Sequence, residues 1–207
     1  MTETDQLPPN HHADYPGFAG VSGLLAALSM SRGRADNAAL AIGLTGLAPG
    51  DHLVDIGCGP GRAARLAASH GAAVVAVDPA RVMLRVARLS TRRSTPISWR
   101  VGAAEALPVE AGAADVVWSL SAVHHWADVE VGLREAWRAL RPGGRFLAVE
   151  HAVAPGAGGL ASHGWTPAQA ESFAAVCRRA GFGEVEVSHH PTVRRPAVAV
   201  RGVRPHT

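Results

Sequence analysis

The sequence predicts an α/β fold built on one doubly wound, mostly parallel sheet with helices on both faces. Two observations carry this prediction. Short apolar runs alternate with Ala- and Leu-rich helical stretches through most of the chain, and the first apolar run ends in a glycine-rich loop. Alternating strand and helix units imply parallel strands covered on both faces. With 207 residues and 47% hydrophobic content, the chain is expected to form one domain with one core.

The strands are predicted where apolar runs are bounded by turn residues. They are expected at 52–56, 73–77, 97–101, 114–119, 145–150, 184–188 and 197–201, with Trp118 of the fourth strand in the core. The helices are predicted from their caps and apolar spacing. They are expected at 24–30, at 62–70 before Gly71, after Pro79 with Val82, Val86 and Leu89 on one face, after Asp128 as far as Leu140, and from Thr166 to just before Gly181.

The end of the chain departs from the parallel pattern. Only a short polar loop separates the last two strands, so they are expected to run antiparallel as a hairpin at the edge of the sheet. Residues 1–20 lack a repeating pattern and are predicted to form a flexible segment or a lid, with the folded domain covering 21–207. Residues 151–165 are Gly- and Ala-rich and unpatterned, as in a functional loop.

Composition excludes several classes of protein. The sequence has no apolar run long enough to span a bilayer and no basic-then-apolar opening, so a cytoplasmic protein is expected. Two cysteines give neither a disulfide framework nor a zinc motif. The net charge is +3, and every Lys or Arg position of the sequence is an arginine. Four of these arginines lie at helical spacing, which predicts a solvated helix face. They are Arg81, Arg85, Arg88 and Arg92.

The glycine loop indicates a nucleotide-like ligand, because glycines between a strand and a helix let a ligand approach the backbone and the helix N-terminus. The spacing is G-x-G-x-G, with Arg62 where a dinucleotide-binding loop has its third glycine. Asp55 precedes the loop and suits an ammonium group. Asp78 ends the second strand and suits two ribose hydroxyls. An amino acid joined to a ribose suggests S-adenosylmethionine.

Four pieces of the sequence resemble the class I S-adenosylmethionine-dependent methyltransferases, and their type 11 branch in particular. They are VDIGCGPG, AVDP, VGAAEALPVEAGAADVVWSLSAVHHW and LRPGGRFL, which span roughly residues 45–150 in family order. The resemblance implies a Rossmann-like, seven-stranded methyltransferase fold with S-adenosylmethionine as the cofactor.

The resemblance also implies the residues of the cofactor site. In it, Gly57, Gly59 and Gly61 face the methionine and ribose, Asp78 binds the ribose, and Ala104 meets the adenine edge through its backbone. The family often has Gly-Asp-Ala where this chain has Gly-Ala-Ala at 102–104, which leaves open whether Glu105 replaces the missing carboxylate. The full predicted cofactor set is Asp55, Gly57, Cys58, Gly59, Gly61, Asp78, Pro79, Ala104, Glu105 and Ser119.

The predicted catalytic residues follow the fourth and fifth strands. His124 and His125 come after the fourth strand, and histidine titrates in the range that a base for a hydroxyl acceptor requires. Glu150 ends the fifth strand and is expected to orient a histidine. A dyad of His124 and Glu150 is similar to the pair in some small-molecule and sugar O-methyltransferases, with His125 as the other choice. Loop histidines that only pack against Trp126 are the competing interpretation.

The predicted function is transfer of a methyl group to a hydroxyl of a small molecule, such as a mannoside or a secondary-metabolite alcohol. The candidate acceptor-binding residues are His11, His12, Tyr15, Trp126, His151 and His163, and Trp165 is expected to wall the same pocket. No metal site is predicted, although His151 beside Glu150 leaves open a bound divalent ion.

The sequence is also compatible with an RNA methyltransferase, on the strength of the arginine spacing, and with a non-catalytic cofactor-binding module. A small-molecule acceptor is favoured over both. We expect no membrane or nucleic-acid partner. The acceptor pocket is expected either to be open or to be completed by the second subunit of a homodimer.

Overall fold

The computed structural model describes residues 35–156, 164–191 and 196–206. Within these residues the helices are α1 (Ala35–Thr45), α2 (Arg62–Ser69), α3 (Arg81–Leu89), α4 (Val129–Ala139) and α5 (Pro167–Arg179). The strands are β1 (His52–Ile56), β2 (Ala73–Asp78), β3 (Ile97–Val101), β4 (Ala114–Leu120), β5 (Leu140–His151), β6 (Gly183–His190) and β7 (Ala197–Val203). A short 3₁₀ turn, Val123–His125, follows β4.

The strands form one seven-stranded sheet in the order β3-β2-β1-β4-β5-β7-β6. The first five strands pair in parallel, whereas β7 lies antiparallel between β5 and β6. The predicted α/β fold with an antiparallel C-terminal hairpin is therefore confirmed. Because the carboxyl ends of parallel strands meet at one edge, residues that follow β1, β2, β4 and β5 are brought together there.

The two faces of the sheet carry separate apolar layers. On one face, Trp118 and Leu147 pack with Ala41 of α1 and Ala64 of α2. The opposite layer contains sheet residues such as Val117 and Phe146 together with apolar residues of α4 and α5. Both layers pack against the strands that end at the shared edge. The ends of these strands are therefore fixed in place by packing on both faces of the sheet.

Three details of the elements differ from the prediction. Helix α1 is not predicted by the pattern, because its residues are apolar on most sides and give no clear helical period. Helix α4 ends at Ala139, and Leu140 pairs with Ala114 as the first residue of β5. An irregularity in that ladder then absorbs the Arg-Pro-Gly-Gly segment, which the sequence places outside the strand.

Burial corrects two side-chain predictions and confirms two others. Leu89, predicted on the buried face of α3, is 83% exposed, because Met83, Leu84, Val86 and Ala87 form that face instead. Trp165, predicted to wall the acceptor pocket, is fully buried and packs on Phe173 at 4.6 Å between ring centroids. The four predicted arginines are exposed, and Trp118 lies in the core as expected.

No helix in the described ranges is long and apolar enough to cross a membrane.

Candidate functional site

The glycine loop between β1 and α2 is shaped by its own backbone and by the end of β2. Amide groups of Gly57 and Cys58 both donate to the carbonyl oxygen of Val77, at 2.9 and 3.0 Å. Gly61 has a φ of +77°, and a Cβ there would lie only 2.2 Å from the Trp99 ring. Gly59 also has a positive φ, but a Cβ there would meet no atom of the described residues within 4 Å. The loop is thus packed at Gly61 and open at Gly59.

Asp78 supports the open part of the loop from the end of β2. Its two carboxylate oxygens accept hydrogen bonds from the amide of Gly59 at 2.8 Å and from the amide of Ala80 at 2.8 Å. Burial raises the pKa of Asp78, while these two backbone donors act in the opposite direction. The residue predicted to bind ribose hydroxyls therefore also positions the central glycine of the loop.

Asp55 lies on β1 beneath the loop and is 1% exposed. Burial raises the pKa of its carboxyl to about 7, the nearby indole of Trp118 lowers it, and the charge of Asp78 raises it further. Its Oδ2 has no hydrogen-bond partner among the described residues. A buried carboxylate oxygen without a partner is destabilising unless a ligand supplies a donor, and an ammonium group is the donor best matched in charge.

A cavity opens above Asp55 at the carboxyl edge of the sheet. Its lining includes four residues that the sequence analysis assigned to the cofactor and six that it did not. The assigned residues are Asp55, Gly57, Cys58 and Gly59, and the additional ones are Asn37, Pro60, Arg62, Ala63, Leu120 and Ser121.

Asn37 and Ser121 connect α1 to the end of β4 across this cavity. The Asn37 side-chain amide donates to Oγ of Ser121 at 3.3 Å, and both residues are buried. The contact joins positions 84 residues apart, so no local sequence pattern could reveal it. Ser121 has a φ of +53°, which is uncommon for a residue other than glycine and is concentrated at functional sites.

Six predicted cofactor residues lie outside the lining of this cavity. Two of them, Gly61 and Asp78, shape or support the glycine loop as described above. Pro79 is exposed, Ala104 is buried, and Ser119 is fully buried, with no hydrogen-bond partner for its Oγ among the described residues. Oε1 of Glu105 accepts from the amides of Ala127 and Asp128, at 2.7 and 3.1 Å. The Glu105 carboxylate is therefore engaged with the backbone that leads into α4.

The structure brings His124 and Glu150 together at the same edge of the sheet. Nδ1 of His124 lies 3.0 Å from Oε2 of Glu150, and the other carboxylate oxygen accepts from the amide of Val123 at 2.9 Å. Glu150 is fully buried and His124 is 4% exposed. A carboxylate only accepts hydrogen bonds, so this contact places a proton on Nδ1 of His124, and Nε2 carries the lone pair when the ring is neutral.

The neighbours of His124 differ in their surroundings. His125 is exposed, and its ring centroid lies 4.0 Å from that of His124. Trp126 is buried, and its ring occupies the space where a Cβ of Gly132 would lie. Of the two histidines, His124 forms the contact with Glu150, and this is the pairing that the sequence analysis preferred. The catalytic role of this pair remains a prediction.

The predicted acceptor-binding residues are only partly covered by the structure. His151 ends β5 and is half-buried, one residue beyond Glu150. His11, His12, Tyr15 and His163, together with helix 24–30, lie outside the described residues. Within the described ranges, no group of three or more His, Cys, Asp or Glu side chains is arranged to hold a metal ion.

The sheet order, the inserted antiparallel strand and the cavity at the glycine loop define the fold of class I S-adenosylmethionine-dependent methyltransferases. Residues 54–148 match the family model described as a methyltransferase domain. The chain carries a type 11 methyltransferase domain over these residues, as the resemblance predicted.

The chain is similar in sequence to two methyltransferases of quinone biosynthesis. The chain is 37% identical to the ubiquinone/menaquinone biosynthesis C-methyltransferase of Rubrivivax gelatinosus over 49% of its own length and 39% of that protein. It is 40% identical to the ubiquinone biosynthesis O-methyltransferase of Methylobacterium nodulans over 46% of its length and 39% of that protein. The chain thus spans about two fifths of these relatives.

A solved structure of a methyltransferase from Aquifex aeolicus superposes on 87% of this chain and 98% of its own, with a TM-score of 0.73 and 12% identity. At this identity the likeness is one of fold.

Proposed function

We propose that this protein transfers a methyl group from S-adenosylmethionine to a hydroxyl group of a small molecule. The observation that carries the proposal is the buried contact between His124 and Glu150, at the same sheet edge as the cavity below the glycine loop. The contact between His124 and Glu150 supplies a base, and the cavity has room for a ligand that carries an ammonium group.

The residues of the cavity fit S-adenosylmethionine. The unpartnered Oδ2 of Asp55 suits the ammonium of the methionine part, and the open space at Gly59 lets a ligand approach the backbone closely. The two buried acids, Asp55 and Asp78, favour a ligand that carries positive charge. When bound, the cofactor would supply a methyl group on a sulfonium sulfur, and cleavage of that carbon–sulfur bond would leave S-adenosylhomocysteine.

His124 is proposed to accept the proton of the acceptor hydroxyl at Nε2 as the new bond between oxygen and carbon forms. Glu150 holds Nδ1–H of the same ring and stabilises the imidazolium that results. Because both side chains are buried, water is largely excluded from the pair, and the electrostatic stabilisation is stronger than at the surface.

A hydroxyl acceptor agrees with a histidine base, and a sugar or a secondary-metabolite alcohol remains the proposed acceptor class. A carbon acceptor is the second candidate, because one relative at 37% identity is named a C-methyltransferase while another is named an O-methyltransferase. A phenol that is methylated on an adjacent carbon also needs its proton removed, so the same histidine would serve either reaction.

Cofactor binding is tested by calorimetry with S-adenosylhomocysteine and with NAD. We expect the wild type to bind the former only, and Gly59→Ala to lose most of that affinity because the new methyl group enters the cavity. Gly112→Ala is the matched control, since Gly112 has a similar φ of +69° and equally open surroundings but lies away from the cavity. No binding by the folded wild type, or equal losses in both variants, would contradict the proposal.

The acceptor is tested separately by incubation with cofactor labelled on the methyl group. Panels of sugars, polyols, phenols and quinone precursors are compared, and the position of the methyl group is read by NMR. Methylation on oxygen supports the proposal, and methylation on carbon supports the second candidate. Cofactor binding with no turnover on any acceptor would instead favour a non-catalytic binding module.

A further inference from the structure

Helix α3, strand β3 and the segment between them carry a dense positive charge that the methyl-transfer site does not use. We call this surface the arginine face, and it consists of Arg81, Arg85, Arg88, Arg92, Arg93 and Arg100. No acidic residue occurs between Asp78 and Glu105, so this stretch holds six positive charges in a chain whose net charge is only +3. All six arginines are exposed.

The charge of the arginine face is not neutralised within the described part of the chain. None of the ion pairs formed there includes one of these six arginines. Arg88 donates instead to the carbonyl oxygen of Trp99 at 2.8 Å, and Arg100 donates to Oγ of Ser98 at 3.3 Å. Like charges at helical spacings of three and four residues destabilise a helix by a few tenths of a kcal/mol per pair. The fold itself therefore gains little from this arrangement.

Leu89 lies inside the arginine face and is 83% exposed. Leu89 is the last residue of α3 and neighbours Arg85, four residues earlier on the helix surface. The segment that follows the helix carries Arg92 and Arg93. An exposed apolar side chain beside positive charges is typical of a protein interface, in which an apolar contact is bordered by polar pairs. A phosphate backbone would neutralise the arginines but would offer Leu89 no apolar contact.

We propose that the arginine face docks an acidic segment of a partner protein. Carboxylates of that segment pair with the arginines of α3, where bidentate contacts favour arginine and carboxylate geometry. An apolar side chain between those carboxylates covers Leu89. The face is separate from the catalytic pair, which lies at the ends of β4 and β5, so the docking does not depend on the proposed methyl transfer.

The test is fluorescence anisotropy of the full chain with two labelled probes. One is a helical peptide of about 18 residues, with glutamates spaced four, three and four residues apart around one central leucine. The other is a single-stranded RNA of about 20 nucleotides. The main variant is Arg85→Glu with Arg92→Glu and Arg93→Glu, and a milder one replaces the same three residues by Gln. The matched control reverses Arg134, Arg178 and Arg179, which are exposed on α4 and α5.

We expect the peptide to bind the wild type more tightly than the RNA, and the main variant to lose more than about tenfold in peptide affinity. Leu89→Gln should lose about threefold or more for the peptide and little for the RNA. The control should stay within about twofold of the wild type. Failure of the wild type to bind the peptide, an equal loss in the control, tighter RNA binding, or no effect of Leu89→Gln would each overturn the proposal.

Discussion

At the scale of single residues, Asp55 combines deep burial with a carboxylate oxygen that has no partner in the described part of the chain. Burial raises its pKa to about 7, so the folded protein holds a proton there over a range of pH in which the unfolded chain does not. A group with a raised pKa stabilises the fold at low pH, and that contribution is lost as pH rises through the folded pKa. Asp55 therefore destabilises the ligand-free protein at neutral and alkaline pH.

Asp55→Asn should remove this penalty because the amide is uncharged and similar in size. Between about pH 5 and pH 8, we expect the free energy of unfolding of the wild type to fall relative to that of the variant by roughly 3 kcal/mol. Urea titrations of both proteins across this range measure the difference. The same variant should bind S-adenosylhomocysteine far more weakly, since the ammonium loses its anionic partner. Parallel pH dependence in the two proteins would contradict the pKa assigned to Asp55.

Glu150→Gln tests the proposed catalytic pair at the same scale. The amide oxygen of the glutamine can keep the hydrogen bond from Val123, which turns the amide NH₂ toward Nδ1 of His124. The ring would then carry its proton on Nε2 and lose its capacity to accept one there. We expect kcat to fall by roughly 10² to 10⁴-fold.

The dissociation constant for S-adenosylhomocysteine should not change in Glu150→Gln, because Glu150 does not line the cavity. Glu150→Asp, which retains the charge, should recover part of the activity and of the pH profile. A loss of cofactor affinity that parallels the loss of turnover would show that Glu150 has only a structural role.

At the scale of elements, the glycine loop has one position that packs against the protein and one that faces open space. Gly61→Ala would force a methyl group against the ring of Trp99 in a left-handed backbone conformation. We expect a loss of about 2 to 5 kcal/mol in stability, from overpacking and backbone strain together. Gly112→Ala adds only the backbone term, about 1 to 2 kcal/mol. Thermal and urea unfolding of the two variants give this comparison, and equal losses would contradict it.

At the scale of the whole molecule, β7 joins two parts of the sheet that are separated in the chain. It is hydrogen-bonded to β5 on one side and to β6 on the other, and Val200 at its centre is fully buried. Val200→Asp would bury an unpaired charge, so we expect a loss of more than about 3 kcal/mol and failure of cooperative unfolding. Arg201→Asp on the exposed face should cost about 1 kcal/mol or less. Circular dichroism during heating distinguishes the two outcomes.

Local patterns account for most of the elements and for the family. The glycine loop, Asp55 and Asp78 are close in sequence to the strands that carry them, so alternation of apolar runs and turn residues was enough to predict their place at one sheet edge. The pairing of His124 with Glu150 also followed, because parallel strands bring their carboxyl ends together. These predictions depend only on residues within one strand-helix unit or on a general property of parallel sheets.

The sequence by itself determined the fold class, the glycine loop and the choice of acids below it, since each rests on short-range periodicity or spacing. Only the tertiary structure decided that Asn37 reaches Ser121 across the cavity and that the Glu105 carboxylate accepts hydrogen bonds from the backbone before α4. It also decided that Leu89, at the end of α3, is exposed. These features depend on which elements pack against one another and on how much surface each side chain loses. Such long-range quantities leave no periodic trace in one sequence.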